Sequence, residues 1–355
     1  MNRRDMLLSV AGGLSASMLT ASKRLLGATE SKKTRLGICV YCLGLRSRAE
    51  RAGGRETDLA DPLSFLEHCR QLGAGGIQVP LRSKDEAYTA KLRRQAENDG
   101  MFIEGITGLP RDRADVERFE AEVRTAKQAG AMVIRVVMIP GRRYESFDSA
   151  EEFRTTARRG LESLQLAEPV AARHGVRLAV ENHKDQRIPE RLDVFKRLSS
   201  EYVGACVDTG NSFALLEDPL EAVKAYAPWA FSVHLKDQAV GEYDDGFLFA
   251  DVPLGEGFLD LAGMVETLRA AKPEVRFTLE IITRDPLKVP CLTEEYWATF
   301  ADVPGRDLAR TLRIVRENRC EDLSRASDLP PGEQVKREEE NVKKCLAYAR
   351  DQLGL

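Results

Sequence analysis

Four residues that are costly to bury alone close four apolar runs: Leu178-Ala179-Val180-Glu181, Ala205-Cys206-Val207-Asp208, Phe231-Ser232-Val233-His234 and Phe277-Thr278-Leu279-Glu280. If each run is a strand, alternate side chains share a face. Every polar end residue then shares its face with a small or hydroxyl residue two positions earlier: Ala179, Cys206, Ser232 or Thr278. The opposite face carries Val180, Val207, Val233 and Leu279. Bulky aliphatics suit packing against helices, so the polar four point the other way, toward a common interior. Adjacent strands lie about 4.8 Å apart, so side chains from consecutive strands can converge on one point. Three carboxylates gathered there repel one another and lose hydration. A divalent cation, itself held by the imidazole as a fourth ligand, offsets both costs. This reading requires the four groups to approach one ion at roughly 2.0–2.6 Å, so separations beyond about 7 Å would defeat it.

The elements that must position these residues alternate along the chain. Strand-like runs fall at Leu36–Leu43, Gly76–Leu81, Phe102–Leu109, Met132–Ile139, Val176–Glu181, Val203–Asp208, Ala230–His234 and Phe277–Ile282. Helical patterns lie between or after them, at Pro62–Leu72, Asp85–Asn98, Arg113–Ala129, Ser149–His174, Pro189–Leu198, Pro219–Tyr226, Leu259–Ala271 and Gly305–Glu317. Gly73, Gly100, Gly130 and Gly175 each stand just before a strand, where a left-handed helix cap is expected. Strict alternation implies parallel strands with right-handed crossovers, and eight units close a barrel. The fold class expected is α/β, a (β/α)8 TIM barrel over 35–320. The rival, a doubly wound open sheet, usually carries a Gly-rich phosphate loop after its first strand; Leu43-Gly44-Leu45-Arg46 stands there instead. An extra C-terminal helix follows over 330–353. Its stripe of Val335, Val342, Leu346, Ala349 and Leu353 is expected on the barrel, with a homo-oligomer contact as the alternative, and Glu339–Lys343 and Glu340–Lys344 fit i,i+4 pairs.

Composition excludes some partners. The 355 residues are 43% hydrophobic and 31% charged, with a net charge of −3, so a folded core is expected and no global basic field attracts nucleic acid or anionic membrane. Residues 1–30 differ in kind. Asn2-Arg3-Arg4-Asp5-Met6 leads into a mildly apolar stretch from Ser9 to Ala21, followed by Lys23 and Arg24, which resembles a twin-arginine export signal. That implies an exported, periplasmic protein with no membrane span after export; a frayed basic N-terminus on a cytoplasmic protein is the alternative. The seven cysteines are odd in number and lack framework spacing, so they read as buried thiols. Cys39-Val40-Tyr41-Cys42 has redox-pair spacing, but within one strand the two side chains would face opposite ways.

The chain from Arg35 to Asn318 resembles the xylose-isomerase-like barrel superfamily, in its sugar isomerase and epimerase branch. The resemblance is carried by Val180-Glu181-Asn182-His183, Val207-Asp208-Thr209-Gly210-Asn211, His234-Leu235-Lys236-Asp237, Gly255-Glu256-Gly257 and Leu279-Glu280. It implies that Glu181, Asp208, His234 and Glu280 bind one Mn²⁺, Mg²⁺, Co²⁺ or related ion, and that Glu181 and Glu280 double as acid and base. Three carboxylates and one imidazole also favour Mn²⁺ or Mg²⁺ over zinc on ligand chemistry. The DNA-repair apurinic endonucleases share the barrel but need three zinc ions and more histidines than His68, His174, His183 and His234.

The expected substrate is a small sugar-like molecule. His183 is read as a hydroxyl ligand or a structural histidine, Lys236 as a carbonyl or enediolate partner or an ion pair with Asp237, and Asn211 as a hydroxyl ligand or turn residue. Arg142, with Arg143 beside it, could read an anion or be plain surface. Loops 238–257 and 283–305 carry Tyr243, Phe247, Phe249, Tyr296 and Trp297, which either face a sugar ring or pack beneath the loops. The leading function is a metal-dependent isomerase or epimerase working through an enediolate on a sugar, keto-sugar or cyclitol. A lyase, dehydratase or keto-glycoside-cleaving enzyme on the same chemistry is the second reading. A barrel that binds sugar or metal without turnover is the third.

Overall fold

Eight short parallel strands close on themselves in the computed structural model, which describes residues 33–53, 58–82, 84–300 and 302–355. They are β1 (Gly37–Cys39), β2 (Gly76–Pro80), β3 (Phe102–Ile106), β4 (Val133–Val136), β5 (Arg177–Glu181), β6 (Val203–Asp208), β7 (Ala230–Leu235) and β10 (Arg276–Leu279). The order around the ring is β1-β10-β7-β6-β5-β4-β3-β2, a (β/α)8 TIM barrel. The export-signal reading of residues 1–30 lies outside the described residues.

The helices form where caps and stripes agree. Asp61 accepts from the backbone N–H groups of Leu63 and Ser64 ahead of Pro62–Leu72, and Ser149 accepts from Glu152 ahead of Ala150–His174. Gly73, Gly100, Gly130 and Gly175 all have positive φ, as a left-handed cap demands. Most helices bury one apolar stripe against the outer face of the strands, where Val180, Val207, Val233 and Leu279 are fully buried. Parity therefore sends Glu181, Asp208 and His234 inward.

Three regions depart from expectation. The first apolar run does not stay extended: Val40–Leu43 turns as a 3₁₀ helix and Gly44–Ala52 continues as an α-helix. A short apolar run has no periodicity that separates a strand from a buried helical turn. This turn is anchored by the Cys42 thiol, which donates to the Leu279 carbonyl at 3.1 Å. No disulfide joins Cys39 and Cys42; both thiols are buried, and burial pushes Cys39 up to about 12.

The second departure is a three-stranded antiparallel sheet built from the two long loops: β8 (Asp237–Tyr243), β9 (Gly246–Val252) and β11 (Leu287–Val289), in the order β11-β9-β8. Phe247 and Phe249 in this sheet are buried as packing and do not form sugar platforms. Phe247, Phe249 and Phe258 gather around Phe213 at ring distances of 4.9–5.7 Å. Buried Tyr296 donates to the Ala214 carbonyl, and Trp297 to that of Cys291.

The third concerns the last helix, Pro331–Gln352, which buries Val342, Cys345, Leu346 and Ala349 against the barrel core as expected. Glu339 pairs with Lys343, but Lys344 reaches Glu256 at 2.8 Å rather than Glu340. Among the described residues no helix is long and apolar enough to cross a membrane.

Candidate metal centre

Barrel registration brings the strand ends together. Glu181 lies opposite Cys206, Asp208 opposite His234, and Thr278 opposite His234, so Glu280 follows one step past the end of β10. One ligand atom from each of Glu181, Asp208, His234 and Glu280 lies within 4.8 Å of all the others, and all four residues are buried. The imidazole decides how this cluster is read. His234 Nδ1 stands 3.5 Å from Glu280 Oε2, 3.7 Å from Glu181 Oε2 and 4.0 Å from Asp208 Oδ2, with no hydrogen-bond partner.

The other ring nitrogen, Nε2, is 2.8 Å from Gln78 Oε1. Gln78 is oriented because its amide donates to Glu104 Oε2 at 3.0 Å, and Ser232 donates to the same oxygen at 2.6 Å. An amide oxygen can only accept, so Nε2 carries a proton and Nδ1 is the ring nitrogen left to face three carboxylates. That arrangement is repulsive unless a cation or a proton stands between them. Asp208 matches it: Oδ1 takes the backbone N–H groups of Gly210 and Asn211 at 2.9 and 2.8 Å, which turns Oδ2 toward the cluster, where the Lys236 ammonium is its close partner. Three hard oxygen donors and an imidazole aimed at one point fit a single divalent ion.

Cationic side chains ring the cluster. Lys236 Nζ lies 2.6 Å from Glu280 Oε2 and 2.9 Å from Asp208 Oδ2. Burial alone would raise the Glu280 pKa, but Lys236 and then His234 overcome it and hold the carboxyl well below its usual range. Arg135, in the middle of β4, donates from Nε to Glu181 Oε2 at 2.5 Å, with Nη2 also against that oxygen. Asn211 Nδ2 donates to Glu181 Oε1 at 3.2 Å, while its carbonyl accepts from Lys184 Nζ. Burial, reinforced by Lys236 and Arg284, lowers the Lys184 ammonium to about 8.

The expected residues sort clearly. Asn211 and Lys236 join the cluster, and Lys236 does not pair with Asp237. The Asp237 carboxylate instead accepts the N–H groups of Gln238, Gly255, Gly257 and Leu259, which gives the Gly255-Glu256-Gly257 segment a structural explanation. His183 is half-buried at the rim, with Nδ1 3.0 Å from the Gly141 carbonyl; burial lowers its pKa, and Glu181 partly opposes that. Arg142 pairs with its near neighbour Glu145 and is not among the residues brought to the cluster. Arg143 is held by Glu190 and Thr299, with Phe153 and Phe300 rings 3.6 and 4.2 Å from its guanidinium carbon, so it too is structural. A cavity of about 510 Å³ bounded by Asp251, Thr283, Arg284 and Asn341 contains none of the four ligand candidates.

Sequence reasoning missed Gln78, Glu104, Arg135 and Lys184. The first three carried a signal, being polar residues inside the apolar runs Gly76–Leu81, Phe102–Leu109 and Met132–Ile139. Lys184 stands beyond its strand, where a lysine is ordinary.

Comparison with known proteins gives the family and the fold. Residues 66–317 match the family model described as the xylose isomerase-like TIM barrel. The 3-oxo-isoapionate decarboxylase of Pectobacterium atrosepticum is 25% identical over 256 residues, covering 70% of this chain and 88% of that protein. Two solved structures share the fold. A D-psicose 3-epimerase in the presence of D-fructose has a TM-score of 0.54 at 17% identity, covering 82% of this chain and 93% of its own. A xylose isomerase-like TIM barrel protein from Mycobacterium smegmatis in complex with magnesium has a TM-score of 0.51 at 17% identity, covering 73% of this chain and 92% of its own. The buried cluster at the carboxyl ends of β5, β6, β7 and β10 and the match over most of the barrel lead to one conclusion: the chain belongs to the xylose isomerase-like TIM barrel family.

Proposed function

We propose that this protein is a divalent-metal-dependent isomerase or epimerase that moves a proton on the carbon beside a sugar carbonyl. The observation that carries the reading is the convergence of His234 Nδ1 with one carboxylate oxygen each of Glu181, Asp208 and Glu280, all within 4.8 Å of one another. Glu181, Asp208, His234 and Glu280 hold the ion, and the donor set together with the magnesium complex of a fold neighbour favours Mn²⁺, Mg²⁺ or Co²⁺ over Zn²⁺. Such an ion supplies Lewis-acid stabilisation of the negative charge that develops on the substrate oxygens.

The remaining work falls to side chains. Glu181 and Glu280 come from strands separated by β6 and β7, so they flank a substrate from two sides. One removes the proton and the other returns it. Return to the opposite face of the same carbon is epimerisation, and return to the neighbouring carbon is isomerisation. Lys236, against both Glu280 and Asp208, offers its ammonium to the enediolate oxygen as charge grows. Asn211 and Lys184 fix the Glu181 carboxylate from behind.

A second reading is favoured by the decarboxylase relative. There the bond between carboxylate and α-carbon breaks, its electron pair enters the enolate, CO₂ leaves, and one glutamate protonates the carbon. Proton NMR in D₂O with Mg²⁺-loaded protein and a panel of keto-sugars and keto-sugar acids separates the two. Deuterium uptake at the carbon beside the carbonyl, with the carbon skeleton intact, supports the first; loss of CO₂ supports the second. Glu181→Gln and Glu280→Gln should each lower turnover by about 10²-fold or more while leaving the fold intact by circular dichroism. No α-proton exchange or CO₂ release across the panel defeats the enzymatic readings.

A further inference from the structure

We propose that Cys39 is a fifth ligand of the metal centre through its sulfur, an inference that rests on the metal reading above and narrows the choice of ion. The carboxylate and imidazole ligands come from the ends of β5, β6, β7 and β10, which are consecutive around the ring, and the next strand past β10 is β1. β1 repeats their pattern. In each of the four runs a small or hydroxyl residue, a bulky aliphatic and a ligand stand in succession, and Gly37-Ile38-Cys39 closes β1 in the same way. Register carries the pattern across the closure of the barrel: Gly37 pairs with Thr278 and Ile38 with Leu279, so Cys39 stands level with Glu280. Ile38 and Leu279 are fully buried on the outer face, and parity turns Cys39 and Glu280 to the interior.

The side chains meet there. Cys39 is fully buried, and its sulfur, one ring nitrogen of His234 and one carboxylate oxygen of Glu280 all lie within 4.8 Å of one another. His234 and Glu280 also belong to the four-residue cluster, so the thiol borders the same space and not a second site. Independently, the buried His234 Nδ1 has no hydrogen-bond partner, which marks that space as one that receives a ligand. β1 ends at Cys39 because Val40–Leu43 turns as a 3₁₀ helix, and the Cys42 thiol ties that turn to the Leu279 carbonyl. Cys42 thus fastens the end of β1 to the strand that leads to Glu280, and Cys39 faces the ion.

A sulfur ligand changes which ion the centre prefers. On binding, a metal–sulfur bond replaces the S–H bond of Cys39, and the proton leaves to solvent. Carboxylate oxygens accept Mg²⁺, Mn²⁺ and Co²⁺ alike. Soft sulfur, together with the rise in affinity from Mn²⁺ to Co²⁺, selects Co²⁺ among the three.

Titration of the metal-free full-length chain with Co²⁺ under argon tests this. One Co²⁺ per chain should bind with a sulfur-to-cobalt charge-transfer band in the near ultraviolet, and cobalt X-ray absorption of the same sample should show one sulfur neighbour at about 2.3 Å. Cys39→Ser should lose the band and bind Co²⁺ about tenfold or more weakly, while its Mg²⁺ affinity stays within about threefold of the parent. The band should survive in Cys320→Ser, which removes the exposed thiol, and in Cys206→Ser, which removes a second buried thiol whose interaction partners include His234. One bound Co²⁺ with no band and only oxygen and nitrogen neighbours overturns the proposal and leaves the four-ligand reading standing; that result needs no variant to fold. A band that persists in Cys39→Ser, or that vanishes in Cys206→Ser, overturns it as well. A chain that binds neither Co²⁺ nor Mg²⁺ stoichiometrically overturns the proposal and the metal reading together.

Discussion

At the scale of single residues, the centre depends on groups that do not themselves touch the ion. Gln78 is the clearest. Its carbonyl fixes the His234 proton on Nε2, and its amide is fixed in turn by Glu104, which Ser232 also holds. Such outer partners commonly govern metal affinity by about 10- to 100-fold. Gln78→Leu should therefore weaken Mn²⁺ binding on that scale while the barrel still folds, as a metal titration beside a thermal melt would reveal; undiminished affinity would show that His234 needs no orienting partner. The four ligand candidates were legible in the sequence because an apolar strand rarely ends on a charge, and parity put them on one face. The pairings Arg135–Glu181 and His234–Gln78 were not, because they join residues 46 and 156 positions apart and depend on register around a closed ring.

At the scale of elements, the alternation of strands and helices was legible because each unit carries its own hydrophobic period and its own cap. The sheet of β8, β9 and β11 was not. Its third strand arrives from beyond β10, and its residues alternate no more regularly than those of an ordered loop. The helix Gly44–Ala52 was hidden for a related reason: its Leu43 cap makes no side-chain hydrogen bond. Its N-terminus is capped from far away, by Glu338 of the last helix, which accepts from Leu45 N–H at 2.7 Å and Arg46 N–H at 3.0 Å. Capping deletions cost about 1–2 kcal/mol. Glu338→Ala should lower unfolding free energy by that amount in urea denaturation, and Glu338→Gln, which keeps an acceptor but loses charge at the positive helix end, should lose only part of it. No change in Glu338→Ala would mean that solvent caps the helix equally well.

At the scale of the whole molecule, burial of ionisable groups makes stability depend on pH even away from the cluster. Glu217 is 4% exposed and joins three layers: it accepts from the Ile188 N–H at 2.8 Å, its Oε1 lies 3.4 Å from Arg187 Nε, and Arg187 in turn pairs with Asp307 at 2.8 Å. Its second carboxylate oxygen has no partner. Burial, only partly opposed by the Ile188 N–H and Arg187, raises its pKa to about 7. The folded state thus holds this proton more tightly than the unfolded chain, whose glutamates titrate near 4.3. Between those values the unfolded state binds fewer protons, so unfolding free energy falls as pH rises from about 4 to about 7 and is level above that. The loss from this one group is on the order of 3 kcal/mol. Glu217→Gln keeps the acceptor for Ile188 and cannot ionise. Relative to the parent it should gain stability between pH 5 and pH 8, with no gain in the difference above pH 8. Urea denaturation of the two proteins across that range is the measurement, and parallel curves would mean that Arg187 and water fully compensate the buried charge.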